Sequence, residues 1–186
     1  MSNSSKPIVL AYSGGLDTSF LVPWVAENTG RPVITVTVDT GGIDAAAAKT
    51  LAERAIALGA IDHHQIDARA DYFNQVLRFL VMGNVRRGQM YPLCVGAERV
   101  MQAQTIARVA RELGTNMIAH GCTAAGNDQV RFEVALRTLA PDLEVFAPVR
   151  TLPGRAPACA APLQSAPGRC RRRCSRGRSC WCPVRA

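Results

Sequence analysis

The sequence predicts an α/β fold, a doubly wound parallel sheet of five strands, followed by an unstructured basic tail. Two observations predict the sheet. Short apolar runs alternate with stretches of helical period from Ile8 to Arg150, and Gly-rich turns separate them. Such βα alternation implies parallel strands with helices on both faces. A third observation predicts the tail: charge and composition change abruptly after Arg150.

Of 186 residues, 22 are Lys or Arg and 14 Asp or Glu, for a net charge of +8. Residues 1–150 carry 14 of the basic and all 14 of the acidic side chains, so they net zero. Residues 151–186 carry the other 8 basic residues, all Arg, with five of the seven cysteines and five of the eleven prolines. The chain therefore reads as a domain over 1–150 and an appendage over 151–186. Nearly half the residues, 48%, are apolar, enough for a sizeable core. No apolar run approaches the roughly 20 residues of a membrane span, and no signal-peptide core follows Met1. A cytoplasmic protein without a membrane partner is expected.

Ile8 to Tyr12 is a buried strand entering Ser13-Gly14-Gly15. A helix follows, with Asp17, Thr18 or Ser19 as N-cap and Leu21, Trp24 and Val25 inward. Pro23 is expected to bend it, and Asn28-Thr29-Gly30 to close it. Val33 to Val38 is a β-branched second strand, broken by Gly41-Gly42. Asp44 caps an Ala-rich helix with Leu51, Ala55 and Leu58 inward, ended by Gly59. Ile61 to Ile66 is a weaker strand, and Asp71 to Met82 a helix burying Phe73, Val76, Leu77 and Leu80. A Gly/Arg-rich connection, Gly83 to Pro92, leads to a long helix from about Ala97 to Leu113. Met117 to Ala119 is the fourth strand, entering Gly121-Cys122-Thr123. Asp128 caps a helix with Val130, Val134 and Leu139 inward, and Leu143 to Ala147 is the fifth strand. Ligands of such sheets sit beyond the carboxyl ends of the strands.

The first loop, Ser13-Gly14-Gly15-Leu16-Asp17-Thr18-Ser19, joins a strand to a helix start. Paired glycines let the backbone approach an anion, while free helix amides and the hydroxyls of Ser13, Thr18 and Ser19 donate. Neither GxxxxGK[ST] nor GxGxxG is present. A loop without lysine suits a pyrophosphate that Mg²⁺ also neutralises, with Asp17 as an indirect metal partner. A plain βα turn with an ordinary cap would look similar. Ala11 to Gly15 also half-matches the G-x-S-x-G nucleophile elbow, with His120 downstream, but an elbow usually follows several strands.

In the second cluster, His120 to Glu133, Asn127 and Asp128 stand at a helix start and Arg131 lies one turn on. A carboxylate beside a guanidinium can grip an amino-acid zwitterion, although an i,i+3 ion pair on a capped helix has the same pattern. Cys94 and Cys122 read as small buried hydrophobes. His63-His64 lacks the ligand spacing of a metal site.

Taken together, Ala11 to Ser19 resembles the phosphate loop of the N-type ATP pyrophosphatases, and His120 to Glu133 narrows the resemblance to the argininosuccinate synthase family over about Lys6 to Arg150. The resemblance implies an adenine nucleotide alpha hydrolase-like sheet and the cofactors ATP and Mg²⁺. It implies that Ala11, Tyr12, Ser13, Gly14, Gly15, Leu16, Asp17, Thr18 and Ser19 hold the ATP phosphates, and that Val38 and Gly121 lie against the nucleotide. It assigns Tyr91, Asn127 and Arg131 to citrulline, and Thr123, Asn127 and Asp128 to aspartate. The implied reaction adenylates citrulline, releases pyrophosphate and joins aspartate to give argininosuccinate and AMP. No covalent nucleophile is implied, and members assemble as homo-oligomers. Gly96 departs from the family, which commonly has a hydroxyl there against citrulline. Ala124-Ala125 replaces a Gly-containing pair.

Residues 151–186 show no apolar periodicity, so no packing element is specified. Cys170, Cys174, Cys180 and Cys182 contain no CxxC and have no His beside them, against zinc. Arg171-Arg172-Arg173 could hold phosphates non-specifically. The tail reads better as GC-rich DNA translated out of frame, or a truncation, and the chain as a synthase fragment inactive alone. The alternative is a tRNA-modifying ATP pyrophosphatase with an RNA-binding tail, which would want a catalytic cysteine pair near the ATP loop.

Overall fold

The computed structural model describes residues 6–88, 90–123 and 127–150, with Arg87, Tyr91, Pro92 and Asp128 described by backbone alone. The tail expectation, and Ala124-Ala125, lie outside these residues.

Five strands form one sheet: β1 (Ile8–Ala11), β2 (Val33–Asp39), β3 (Asp62–Asp67), β6 (Met117–His120) and β7 (Glu144–Phe146). Their order is β3-β2-β1-β6-β7, and every neighbouring pair is parallel. The expected sheet is thus present. Because the chain winds one way from β1 through β2 to β3 and the other way from β6 to β7, a crevice opens at the carboxyl ends of β1 and β6. Ala11 pairs with Val36 on one side and His120 on the other, so the loops after β1 and β6 start at the same level, while β2 runs three residues further, to Asp39.

Alternation along the strands builds two cores. Val9, Val36, Val38 and Ile118 face α5 (Cys94–Glu112) and α6 (Asn127–Leu139), meeting Met101, Ile106, Phe132 and Leu136. Ile8, Leu10, Val33 and Ala119 face α1 (Leu16–Thr29) and α2 (Ala45–Ala57), meeting Leu21, Val22, Val25 and Ala55. Each fully buried aliphatic or aromatic side chain contributes roughly 1.5–3 kcal/mol, so these two layers hold the sheet. All of β2 is buried, and its polar threonines are satisfied. Thr37 Oγ1 donates to the Tyr12 carbonyl at 2.7 Å, and Thr35 Oγ1 lies 2.9 Å from His63 Nδ1.

Helix ends follow local chemistry. Asp44 accepts from the Ala47 amide at 2.7 Å and caps α2, while Gly30 closes α1 at φ 64°, a conformation glycine adopts without steric cost. The N-cap of α1 is Gly15, without a side-chain cap, rather than Asp17, Thr18 or Ser19. The helix starts earlier than expected because the Gly15 carbonyl already accepts the Ser19 amide at 2.9 Å, and Thr18, instead of capping, donates to the same carbonyl at 3.2 Å. Pro23 lies inside α1 without ending it.

Two helix faces differ from expectation. The third helical stretch runs as α3 (Arg69–Tyr72), a π-helical turn (Phe73–Leu77) and α4 (Arg78–Met82). The π turn breaks the 3.6 period, so Phe73 points outward, and Tyr72 is buried in its place. Tyr72 donates to the Cys94 carbonyl at 2.6 Å, tying this stretch to the start of α5. In α6, Phe132, Ala135 and Leu136 are buried while Val130, Val134 and Leu139 are exposed. Both sets sit at helical spacing, and the larger Phe and Leu take the core. The connection after α4 contains a short antiparallel pair, β4 (Arg86–Arg87) and β5 (Tyr91–Pro92), which the sequence reading leaves as a loop.

Candidate functional site

The loop after β1 is a self-bonded turn. Ser13 N–H donates to Thr18 Oγ1 at 3.4 Å, and the Ser13 and Thr18 hydroxyls are 3.3 Å apart. Thr18 is buried, whereas Ser13, Gly15, Leu16 and Asp17 are exposed at the rim. Gly14 takes φ 72°, and a Cβ built there would stand 2.1 Å from Leu51 Cδ2 of α2. Conformation and space both demand glycine. Arg54 of α2 donates to the Gly14 carbonyl at 3.1 Å and steadies the loop from outside.

The loop after β6 packs directly on it. A Cβ at Gly121 would lie 3.1 Å from Thr18 Cγ2 and 3.6 Å from Asp17 Cβ. The close approach therefore uses the absence of a side chain at 121.

The loop after β2 closes the other side. Asp39, buried at the end of β2, accepts from the Gly41 amide at 2.8 Å. Thr40 donates to Glu98 of α5 at 2.8 Å, Gln102 donates to the same Glu98 oxygen at 2.9 Å, and Arg99 donates to Gln102 at 2.8 Å. This chain of hydrogen bonds joins the β2 loop to α5.

Between these loops lies a cleft of about 660 Å³. Of the residues assigned to ATP, it is lined by Ala11, Tyr12, Ser13, Gly15, Leu16, Asp17, Thr18, Val38 and Gly121. Gly14 and Ser19 do not line it: Gly14 faces Leu51, and Ser19 Oγ lies 3.4 Å from the Tyr12 hydroxyl. The volume suits a nucleotide-sized ligand. Hard oxygen groups at the rim, the Asp17 carboxylate and the Ser13 hydroxyl, fit Mg²⁺ carried on a pyrophosphate. Among the described residues no cluster of three or more His, Cys, Asp or Glu side chains could hold a metal by itself.

The residues assigned to the amino acids are placed less compactly. Thr123 follows Gly121 and Cys122 on the β6 loop, and Asn127, exposed, begins α6. Asp128 belongs to the first turn of α6, and Tyr91 to β5, both by backbone. Arg131 does not line the cleft; its guanidinium rests against Gly96 of α5, where a Cβ would be 3.2 Å from Nη1.

His120 and Cys122, in the cleft wall, have displaced pKa values. Burial holds His120 down at about 4, with Glu133 opposing and Arg150 and Arg137 assisting. Burial raises the Cys122 thiol, with Arg99 and Arg150 opposing. A raised thiol is a poor nucleophile. Cys94 and Cys122 are both free and half-buried, rather than fully buried as the sequence suggests.

The β6 loop is also fixed from behind. Glu133 accepts from Arg137 at 2.9 Å and pairs with Arg150, whose Nε donates to the Cys122 carbonyl at 3.3 Å. Burial favours the neutral Glu133, but the hydrogen bonds from Arg137 and Arg150 outweigh it and hold its pKa below the ordinary value.

Sequence reasoning missed Asp39, Thr40, Glu98, Arg99, Gln102 and Gln129, which also line the cleft. Only Asp39 and Thr40 carried a signal, since they end a strand.

Residues 7–159 match the family model described as the arginosuccinate synthase N-terminal HUP domain, running on past Arg150. An argininosuccinate synthase from Pyrobaculum aerophilum is 45% identical over 147 residues, covering 78% of this chain and 36% of its own length. The chain thus spans about a third of the length of that curated relative. A solved structure titled as a predicted subunit of tRNA methyltransferase from Methanocaldococcus jannaschii aligns with a TM-score of 0.53 at 16% identity, over 78% of this chain and 68% of that one. At that identity the likeness shows the fold alone. Over most of its length, the chain belongs to the argininosuccinate synthase family, matching its N-terminal HUP domain.

Proposed function

We propose that residues 1–150 are the nucleotide-binding part of an argininosuccinate synthase, an AMP-forming carbon–nitrogen ligase of arginine biosynthesis that joins citrulline to aspartate. The observation carrying this is the cleft at the ends of β1, β2 and β6, where nine residues assigned to ATP by family resemblance meet one another.

In this reading the glycine amides and the Ser13 and Thr18 hydroxyls bind the β and γ phosphates of ATP. Mg²⁺ would be carried on the phosphates, with Asp17 as an indirect partner, and would neutralise charge on the leaving pyrophosphate. Tyr12, Ser19 and Gly14 support the loop, while Val38 and Gly121 flank the nucleoside. Tyr91, Asn127 and Arg131 orient citrulline so that its ureido oxygen attacks the α-phosphate and expels pyrophosphate. Thr123, Asn127 and Asp128 hold aspartate, whose amine then displaces AMP. Positioning and charge neutralisation supply the rate, without a covalent nucleophile.

No helix among the described residues is long and apolar enough to cross a membrane. A cytoplasmic setting completes the reading; homo-oligomeric assembly belongs to the family through residues beyond those matched here and is not expected of this chain. Residues 151–186 are read as a non-native, out-of-frame ending. The DNA from codon 150 to about codon 160 tests this, since the family match runs to residue 159 and a single-base change there should restore an acid-containing continuation.

Calorimetry of Mg-ATP with the chain tests the core of the proposal. Binding is expected, weakened by Asp17→Asn without unfolding. Unchanged affinity in Asp17→Asn and in Gly14→Val would remove the loop from the site.

A further inference from the structure

We propose that Arg99 is a further substrate-binding residue, its guanidinium receiving a carboxylate of an amino-acid substrate; this rests on the reading of the cleft as the synthase site.

Among the described residues that line the cleft, Arg99 is the one lysine or arginine. Arg131, the arginine assigned to citrulline, is not among them and rests against Gly96. Of the lining side chains, only Arg99 carries the charge that a substrate carboxylate needs.

The side chain is held in place without being neutralised. Glu98 Oε1 accepts from Thr40 at 2.8 Å and from the Gln102 side-chain amide at 2.9 Å. The second bond turns the Gln102 nitrogen to Glu98 and leaves its oxygen to accept from Arg99 Nη1 at 2.8 Å. An amide oxygen anchors a guanidinium but does not cancel its charge, and the rest of the N–H fork stays unused. Among the described residues no carboxylate pairs with Arg99. Arg99 is half-buried, and a partly desolvated cation without a counter-ion is costly. An anion entering the cleft removes that cost.

Position favours a carboxylate over a pyrophosphate. Burial raises the Cys122 thiol and the Arg99 charge opposes it, so the guanidinium lies toward the β6 loop. Cys122 directly precedes Thr123, whereas the phosphate hydroxyls of Ser13 and Thr18 belong to the β1 loop. A planar fork also matches a carboxylate through two parallel bonds.

The test is ¹H–¹⁵N NMR of the Arg99 Nε–H in the whole 186-residue chain, assigned by its loss in Arg99→Lys. L-aspartate and L-citrulline are titrated separately in the presence of Mg-ATP. One of them should shift the Arg99 signal, and which one identifies whose carboxylate it takes. Mg-ATP or pyrophosphate without an amino acid should shift only the amides of 13–19. Arg99→Ala should weaken the responding amino acid about tenfold. Arg99→Lys, which keeps the charge but not the fork, should recover part of the loss, and both variants should keep Mg-ATP affinity within about twofold. An Arg99 signal unmoved by either amino acid overturns the assignment, as does a shift with pyrophosphate alone. In both cases loop amides that answer Mg-ATP leave the nucleotide reading standing. If those amides stay still at saturating Mg-ATP, that reading falls and takes this proposal with it.

Discussion

Gly96 and Arg131 fit together as backbone against guanidinium: a Cβ built at Gly96 would lie 3.2 Å from Arg131 Nη1 and 3.3 Å from Cζ. The residue that departs from the family pattern therefore leaves room for one that matches it.

This contact should appear as coupling. Glycine inside a helix costs about 1 kcal/mol relative to alanine, so Gly96→Ala should stabilise α5. The new methyl crowds Arg131 and offsets that gain. Urea melts should show Gly96→Ala within about 0.5 kcal/mol of the parent, but stabilising by about 1 kcal/mol in an Arg131→Ala background. Equal effects in both backgrounds would mean that the contact carries no energy.

Gly14 faces two independent constraints, and they can be separated. Gly14→Ala should destabilise by roughly 2–4 kcal/mol, about 1–2 from the left-handed backbone and the rest from crowding Leu51. Adding Leu51→Ala removes the clash and leaves the backbone cost. Relative to Leu51→Ala alone, Gly14→Ala should then cost only about 1–2 kcal/mol by denaturant titration.

His120 should leave a mark on acid stability. Its folded pKa of about 4 lies below the ordinary 6.5, so the unfolded chain binds more protons between those values. Stability is unaffected by this group above pH 6.5, declines as pH falls through the window, and levels off below about 4. The full loss is roughly 3 kcal/mol. Glu133, Arg137 and Arg150 surround the group and are retained in the His120→Phe variant. That variant should lose the extra slope between pH 6.5 and 4 in urea midpoints, whereas an unchanged slope would place the titration elsewhere.

The chain alone should make no argininosuccinate. It spans 36% of its Pyrobaculum relative, and a misplacement of about 1 Å in an attack geometry can cost roughly 100-fold. Removing residues 151–186 should leave Mg-ATP affinity within twofold. Pyrophosphate release that needs both citrulline and aspartate, and that Arg131→Ala abolishes, would show that the N-terminal part suffices.

What was legible in the sequence was set by short-range chemistry. The β-branched run Val33 to Val38 can hardly be anything but a strand, and Asp44 and Gly30 mark helix ends by bonds within a few residues. The inward face of α6 was not legible, because Val130 and Val134 keep the same period as Phe132 and Leu136. Periodicity finds a stripe but cannot choose between two. Phe73 misled for a different reason, since the π turn shifts the phase that the reading assumes. At the site, glycine spacing exposed the β1 loop. Glu98 and Gln102 carry no motif of their own, and only the tertiary bond from Thr40 makes them a cleft wall.

The Arg150 contact reaches back 28 residues to the Cys122 carbonyl, so the β6 loop waits on a side chain made after the whole sheet. A nascent chain stopped just short of residue 150 could complete all five strands and still leave that loop unlatched. Quality control that senses only the hydrophobic core would pass such a molecule, whereas a protease probing residues 121–123 would recognise it as unfinished.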